Sequence, residues 1–129
     1  MIHLKRGWLA LIMIILSLAL GGIEYYYVTS NADAYVQMLD DADEKMAHNQ
    51  IYEAESAAQR LDNRFRKQSG MFNVFMFHSE IGHISSDLAM LRRYAQTGSV
   101  EDFLATSACA KRKILEIKDS KRMTWENIF

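Results

Sequence analysis

The chain has 129 residues, half of them hydrophobic, with no proline and a single cysteine, Cys109. That length holds one small domain and excludes a multidomain enzyme. Basic and acidic residues number 15 and 16, which leaves no positive excess for nucleic acid. One cysteine excludes an internal disulfide framework and a multi-cysteine zinc site.

Residues Gly7 to Ile23 read GWLALIMIILSLALGGI, 17 residues without a charge, framed by Lys5 and Arg6 before and Glu24 after. At about 1.5 Å per helical residue the run reaches roughly 25 Å, a thin bilayer span. Trp8 at one end and Tyr25, Tyr26 and Tyr27 at the other supply the aromatic belts that favour headgroup layers. Small residues at Ala19 and Gly21 also suit a cleaved signal peptide. The length of the apolar run and the tyrosines behind it favour a retained anchor. The basic amino end then stays in the cytoplasm, and residues 28–129 lie outside. The expected layout is a cytoplasmic segment 1–6, a transmembrane anchor 7–27 and an extracytoplasmic helical domain 28–129.

Beyond the anchor, apolar residues recur in steps of three and four. The first set is Val28, Ala32, Tyr35, Leu39, Ala42 and Met46, and the second Ile51, Ala54, Ala58, Leu61 and Phe65. A third runs Ile81, Ile84, Leu88, Leu91 and Ala95, and a fourth Val100, Phe103, Ser107, Ala110, Ile114 and Ile117. This period predicts amphipathic helices, not strands. His48-Asn49-Gln50 and Thr97-Gly98-Ser99 separate the outer pairs. Asn49 suits a helix end or a cap, Gly98 suits a positive φ, and Ser99 with Asp102 fits a capping box. Such short links make antiparallel neighbours. The fold class is therefore all-α: an N-terminal transmembrane helix followed by an antiparallel four-helix bundle or a pair of helical hairpins. The first helix continues the span, with Gly21-Gly22 as a candidate hinge.

Ser69-Gly70 is expected to end the second helix. The following MFNVFMF (Met71 to Phe77) holds six apolar residues in seven, too short to cross a membrane. It reads as a plug for one end of the bundle or as an exposed patch for a partner or a membrane surface. Phe72, Phe75, Met76 and Phe77 are its candidate interaction residues, because Phe beside Met suits adaptable binding surfaces. Charge divides along the chain: residues 24–62 carry nine acids and two bases, residues 63–129 eleven bases and seven acids. Two faces that attract each other within one fold explain this better than a basic patch on anionic lipid, since Glu116 and Asp119 interrupt Lys111, Arg112, Lys113, Lys118, Lys121 and Arg122.

Little catalytic chemistry is legible. In HSEIGH, His78 and His83 are five residues apart, about 140° around a helix, so they do not converge as zincin histidines do. Glu80, His83 and Asp87 share a face and are weak metal candidates, with a solvated stripe as the plainer reading. Asp40-Asp41-Ala42-Asp43-Glu44 lacks the glycine and closing glutamate of a calcium loop and reads as a charged helix face. Cys109, near an apolar stripe, is expected to be buried. No cofactor and no enzymatic activity are expected.

The tail EIKDSKRMTWENIF (Glu116 to Phe129), the His78-Ser79-Glu80-Ile81 string and the Leu88, Leu91, Tyr94 run resemble the family catalogued as domain of unknown function 4363. These are small membrane-anchored proteins of Firmicutes. Trp125 stands where that family carries leucine, and Gly82 where it tends to carry an acid. The resemblance implies an anchor and a helical body but no reaction. Its members' multi-pass membrane neighbours imply an accessory role. Met123, Trp125, Ile128 and Phe129 are expected to turn onto the bundle through Thr124-Trp125-Glu126-Asn127, with a partner-binding peptide as the rival reading, so Trp125 and Phe129 join the interaction candidates. The functional expectation is a single-pass anchored interaction module, an accessory or scaffolding subunit for another envelope protein. Its partners would be membrane lipid and a multi-pass membrane protein or a second copy, without nucleic acid. The alternative is a ligand-sensing or lipid-binding bundle, using any cavity left by Ala54, Ala58, Ser107 and Ala110.

Overall fold

The computed structural model describes residues 2–75 and 78–128, with side chains left undescribed at 2–4, 71–79 and 128. Four helices follow in order: α1 (Ile2–Ala47), α2 (Ile51–Phe75), α3 (His78–Thr97) and α4 (Val100–Ile128). No strand occurs among the described residues. Each helix packs on its two neighbours in the cycle α1, α2, α3, α4 and back to α1, which is the up-and-down four-helix arrangement.

The apolar N-terminal run and the first bundle helix are one element. α1 runs 46 residues, roughly 70 Å, with no break at Gly21-Gly22. Its most apolar stretch is entirely unburied within the molecule, and the helix is long and apolar enough to cross a membrane. The one hydroxyl in that stretch, Ser17, donates to the Met13 carbonyl at 2.9 Å, as a polar side chain surrounded by apolar neighbours must. Burial begins at Val28.

The four apolar stripes meet in the core. Leu39, Met46, Leu61, Leu88, Leu91 and Phe103 are sealed from solvent. Ala54, Ala58, Ser107 and Ala110 are buried among them, the small groups letting the large ones interdigitate. The space lined by Val28, Ala32, Tyr35, Phe65, Ile84, Ile114 and Ile117 measures about 20 Å³, room for about one water.

Both distal links close in the same way. Asn49 (φ 61°) and Gly98 (φ 69°) are left-handed. Gln50 N–H donates to Lys45 O and Asn49 N–H to Met46 O, and Ser99 N–H to Tyr94 O and Gly98 N–H to Ala95 O repeat the pattern. Each link is thus a Schellman motif, which satisfies the last carbonyls of its helix. The capping box expected at Ser99 is not formed: its hydroxyl lies 3.0 Å from that of Thr97.

Two helix ends differ from expectation. α2 continues past Ser69-Gly70 to Phe75. An exposed glycine costs a helix only about 1 kcal/mol, too little to stop one that is already formed. The last segment does not turn at Thr124 to Asn127; α4 stays helical to Ile128.

Charge complementarity ties α1 to α4. Lys111 bridges Asp40 (2.9 Å) and Asp43 (2.8 Å), Lys118 reaches Asp33 (2.6 Å), and Lys121 pairs with Glu24. The acidic first half and basic second half of the sequence therefore lie on adjacent helices. Burial pulls the Lys111 ammonium down, but its hydrogen bonds to Asp40 and Asp43 outweigh this and hold it above the ordinary lysine range. Between α1 and α2, Tyr35 Oη donates to Gln68 Oε1 (2.5 Å) and Gln68 Nε2 to Asn31 Oδ1 (3.1 Å). The Arg64 guanidinium lies 5.2 Å from the Tyr35 ring centre. Burial raises the Tyr35 phenol well above its usual range, with Arg64 partly opposing.

Candidate functional site at the junction of apolar run and bundle

The antiparallel path returns α4 to where α1 leaves the bundle. α4 has 29 residues against 20 in α3, so its last turns run on beside the carboxyl end of the apolar run. There the Trp125 indole lies over Gly21 and Gly22. A Cβ built at Gly22 would stand 3.4 Å from Trp125 Cη2, and one at Gly21 3.5 Å from Cζ3. The missing side chains make the seat for the ring. Tyr25, one turn along α1, stacks on the same indole with centroids 5.6 Å apart and planes 23° from parallel. Lys121, one turn earlier on α4, pairs with Glu24. Around this seat Leu20, Ile23, Tyr26 and Met123 are exposed.

A family model, domain of unknown function (DUF4363), matches residues 23–128. The chain belongs to that family. The DUF4363 match begins at the last residue of the apolar run and takes in the whole bundle and Trp125. No curated protein and no solved structure matches the chain.

The other residues singled out from sequence fall as follows. Glu80 and His83 are exposed on α3, while Asp87 is held by Lys113 at 2.7 Å. Among the described residues no three His, Cys, Asp or Glu side chains group as metal ligands. The acidic run of α1 is a charged helix face: Asp40 and Asp43 bind Lys111, and Asp41 pairs with Lys45 at 3.1 Å. All six cations of the supposed basic patch have acidic partners, Arg112 with Glu116 and Arg122 with Asp119 on α4 itself. Cys109, expected to be buried, is exposed. It neighbours Ala110 in sequence but sits about 100° around the helix from it, off the stripe of Phe103, Ser107, Ala110 and Ile114. The side chains of Phe72 and Phe75, and the whole of Met76, Phe77 and Phe129, lie outside the described residues.

The junction itself is not legible in the sequence. By pattern alone Gly21-Gly22 reads as a hinge and Trp125 as part of a folded-back tail. Their pairing depends on the register of α4 against α1, set by Lys111, Lys118 and Lys121 opposite Asp40, Asp33 and Glu24. A glycine pair at the edge of the apolar run, followed by tyrosines, is the signal the sequence offers.

Proposed function

We propose that this DUF4363 protein is a single-pass membrane protein that carries its helical bundle outside the cytoplasm as a non-catalytic interaction module. Its work is to bind and steady another envelope protein, through the anchor and the end of the bundle nearest the membrane. One observation carries the reading: α1 passes unbroken from span to bundle while α4 returns to pack on Gly21 and Gly22. A module joined at two places to its own anchor transmits the position of one to the other, whereas a hinged one does not. The outward faces of Leu9, Met13, Ile14 and Leu20 are available to lipid or to a neighbouring membrane helix. A ligand-sensing bundle fits less well, because Ala54, Ala58, Ser107 and Ala110 are packed and the crevice of about 20 Å³ admits little more than water.

The test is chemical crosslinking of the full chain in its native membrane, followed by purification and mass spectrometry. The proposal expects one multi-pass protein in fixed ratio, lost when the outward face of the anchor is replaced by alternating leucine and alanine. Recovery of the protein alone would refute the accessory role.

A further inference from the structure

We propose that the last turns of α4, centred on Trp125, lie in the headgroup layer beside the anchor, so that the bundle touches the lipid surface at a second place. The inference rests on the reading of α1 as a membrane span. The indole packs on Gly21 and Gly22, and these belong to the uncharged run that ends at Ile23. One or two residues of helix amount to roughly 3 Å. A ring fixed that close inside the end of a span cannot remain in bulk water when the span is in a bilayer.

The chemistry around the ring suits that depth. Tryptophan and tyrosine favour the interface, where an apolar body meets a polar rim, and Trp125 and Tyr25 are stacked there. Leu20, Ile23, Tyr26 and Met123 leave their apolar surface outward at the same level, on α1 and α4 alike. Glu24, the first acid beyond the run, is neutralised by Lys121, which lessens the cost of holding a carboxylate near low-dielectric lipid. Trp8 marks the opposite face of the bilayer, 13 residues before Gly21, roughly 20 Å along the helix. Two contacts, the span and the end of α4, fix the tilt of the bundle; a span alone leaves it free to rock.

Fluorescence quenching by brominated lipids separates this claim from the one beneath it. The full chain is reconstituted in phosphatidylglycerol–phosphatidylethanolamine vesicles with bromines at the 6,7 or the 11,12 acyl positions. Trp8→Phe leaves Trp125 as the reporter and Trp125→Phe leaves Trp8. The unsubstituted chain checks that the two signals sum, and helical circular dichroism checks the fold. We expect both reporters to be quenched, with Trp125 quenched at least twofold more by the shallow bromines than by the deep ones. Quenching of Trp8 without Trp125 overturns the second contact and leaves the span standing. Absence of quenching at both overturns the span and this inference with it.

Discussion

The seat of Trp125 makes Gly22 the most informative position to change. An alanine there places its Cβ 3.4 Å from Trp125 Cη2, an ordinary contact, and removes the helical penalty of glycine, about 1 kcal/mol. Gly22→Ala should therefore hold the end of α4 as well as glycine does, or better. Gly22→Ile behaves differently. Its Cβ alone already stands 3.4 Å from Cη2 and 3.8 Å from Cζ3, so two further carbons branching from it crowd the indole. Losing the stack on Tyr25, 5.6 Å between centroids, costs about 0.5–1.5 kcal/mol. Displacing the ring also undoes part of its apolar burial. A local loss of about 1.4 kcal/mol corresponds to roughly tenfold faster amide exchange. Hydrogen exchange of the detergent-solubilised full chain should show that acceleration in residues 118–128 of the isoleucine variant, with the distal core unchanged. Equal exchange in the isoleucine and alanine variants, or faster exchange in alanine than in glycine, would refute the proposed seat.

Other expectations follow from the core, the links and the ion pairs. Ser107 is fully buried and its hydroxyl has no partner among the described residues; Ser107→Ala should raise stability by about 1–2 kcal/mol in urea unfolding, and a loss would mean the hydroxyl is bonded. Asn49→Gly should stabilise by about 0.5 kcal/mol and Gly98→Ala destabilise by about 1 kcal/mol, since both positions have positive φ that favours glycine; thermal melts check the opposite signs. Lys111→Met should cost about 1–2 kcal/mol, because Asp40 and Asp43 lose their shared partner and Asp43 is only partly exposed. Lys111 is held above its ordinary pKa in the fold, so its stabilisation is complete below about pH 10.4 and declines as pH rises through the folded value. Chemical unfolding at pH 8 and at pH 11 should therefore show a smaller difference between Lys111→Met and the parent at the higher pH.

The helical periodicity was enough to identify the core: Leu39, Ala58, Leu88 and Phe103, each chosen for its spacing, are all buried. The left-handed links were legible for the same local reason, since Asn and Gly are the residues that adopt that conformation cheaply. Boundaries were less legible. Gly70 looked like a stop because glycine is a poor helix former, yet its cost is small beside the cooperative extension of an existing helix. Cys109 is exposed because it adjoins Ala110 in sequence but not in space, about 100° around the helix. The junction was hidden for a deeper reason: Trp125 and Gly21 are a hundred residues apart, and only the ion-paired register of α1 with α4 brings them together. The sequence suggested that the two charged halves attract; which lysine meets which aspartate required the fold.

Whether a bundle is held outside the membrane by its own span is decided through one native atom. Cys109 is the chain's single cysteine and is exposed on α4. Intact cells expressing the protein are treated with a membrane-impermeant maleimide, and labelling is compared before and after lysis. An external bundle leaves Cys109 modified to the same extent in both samples. Labelling that appears only after lysis would contradict it and put the bundle on the cytoplasmic side.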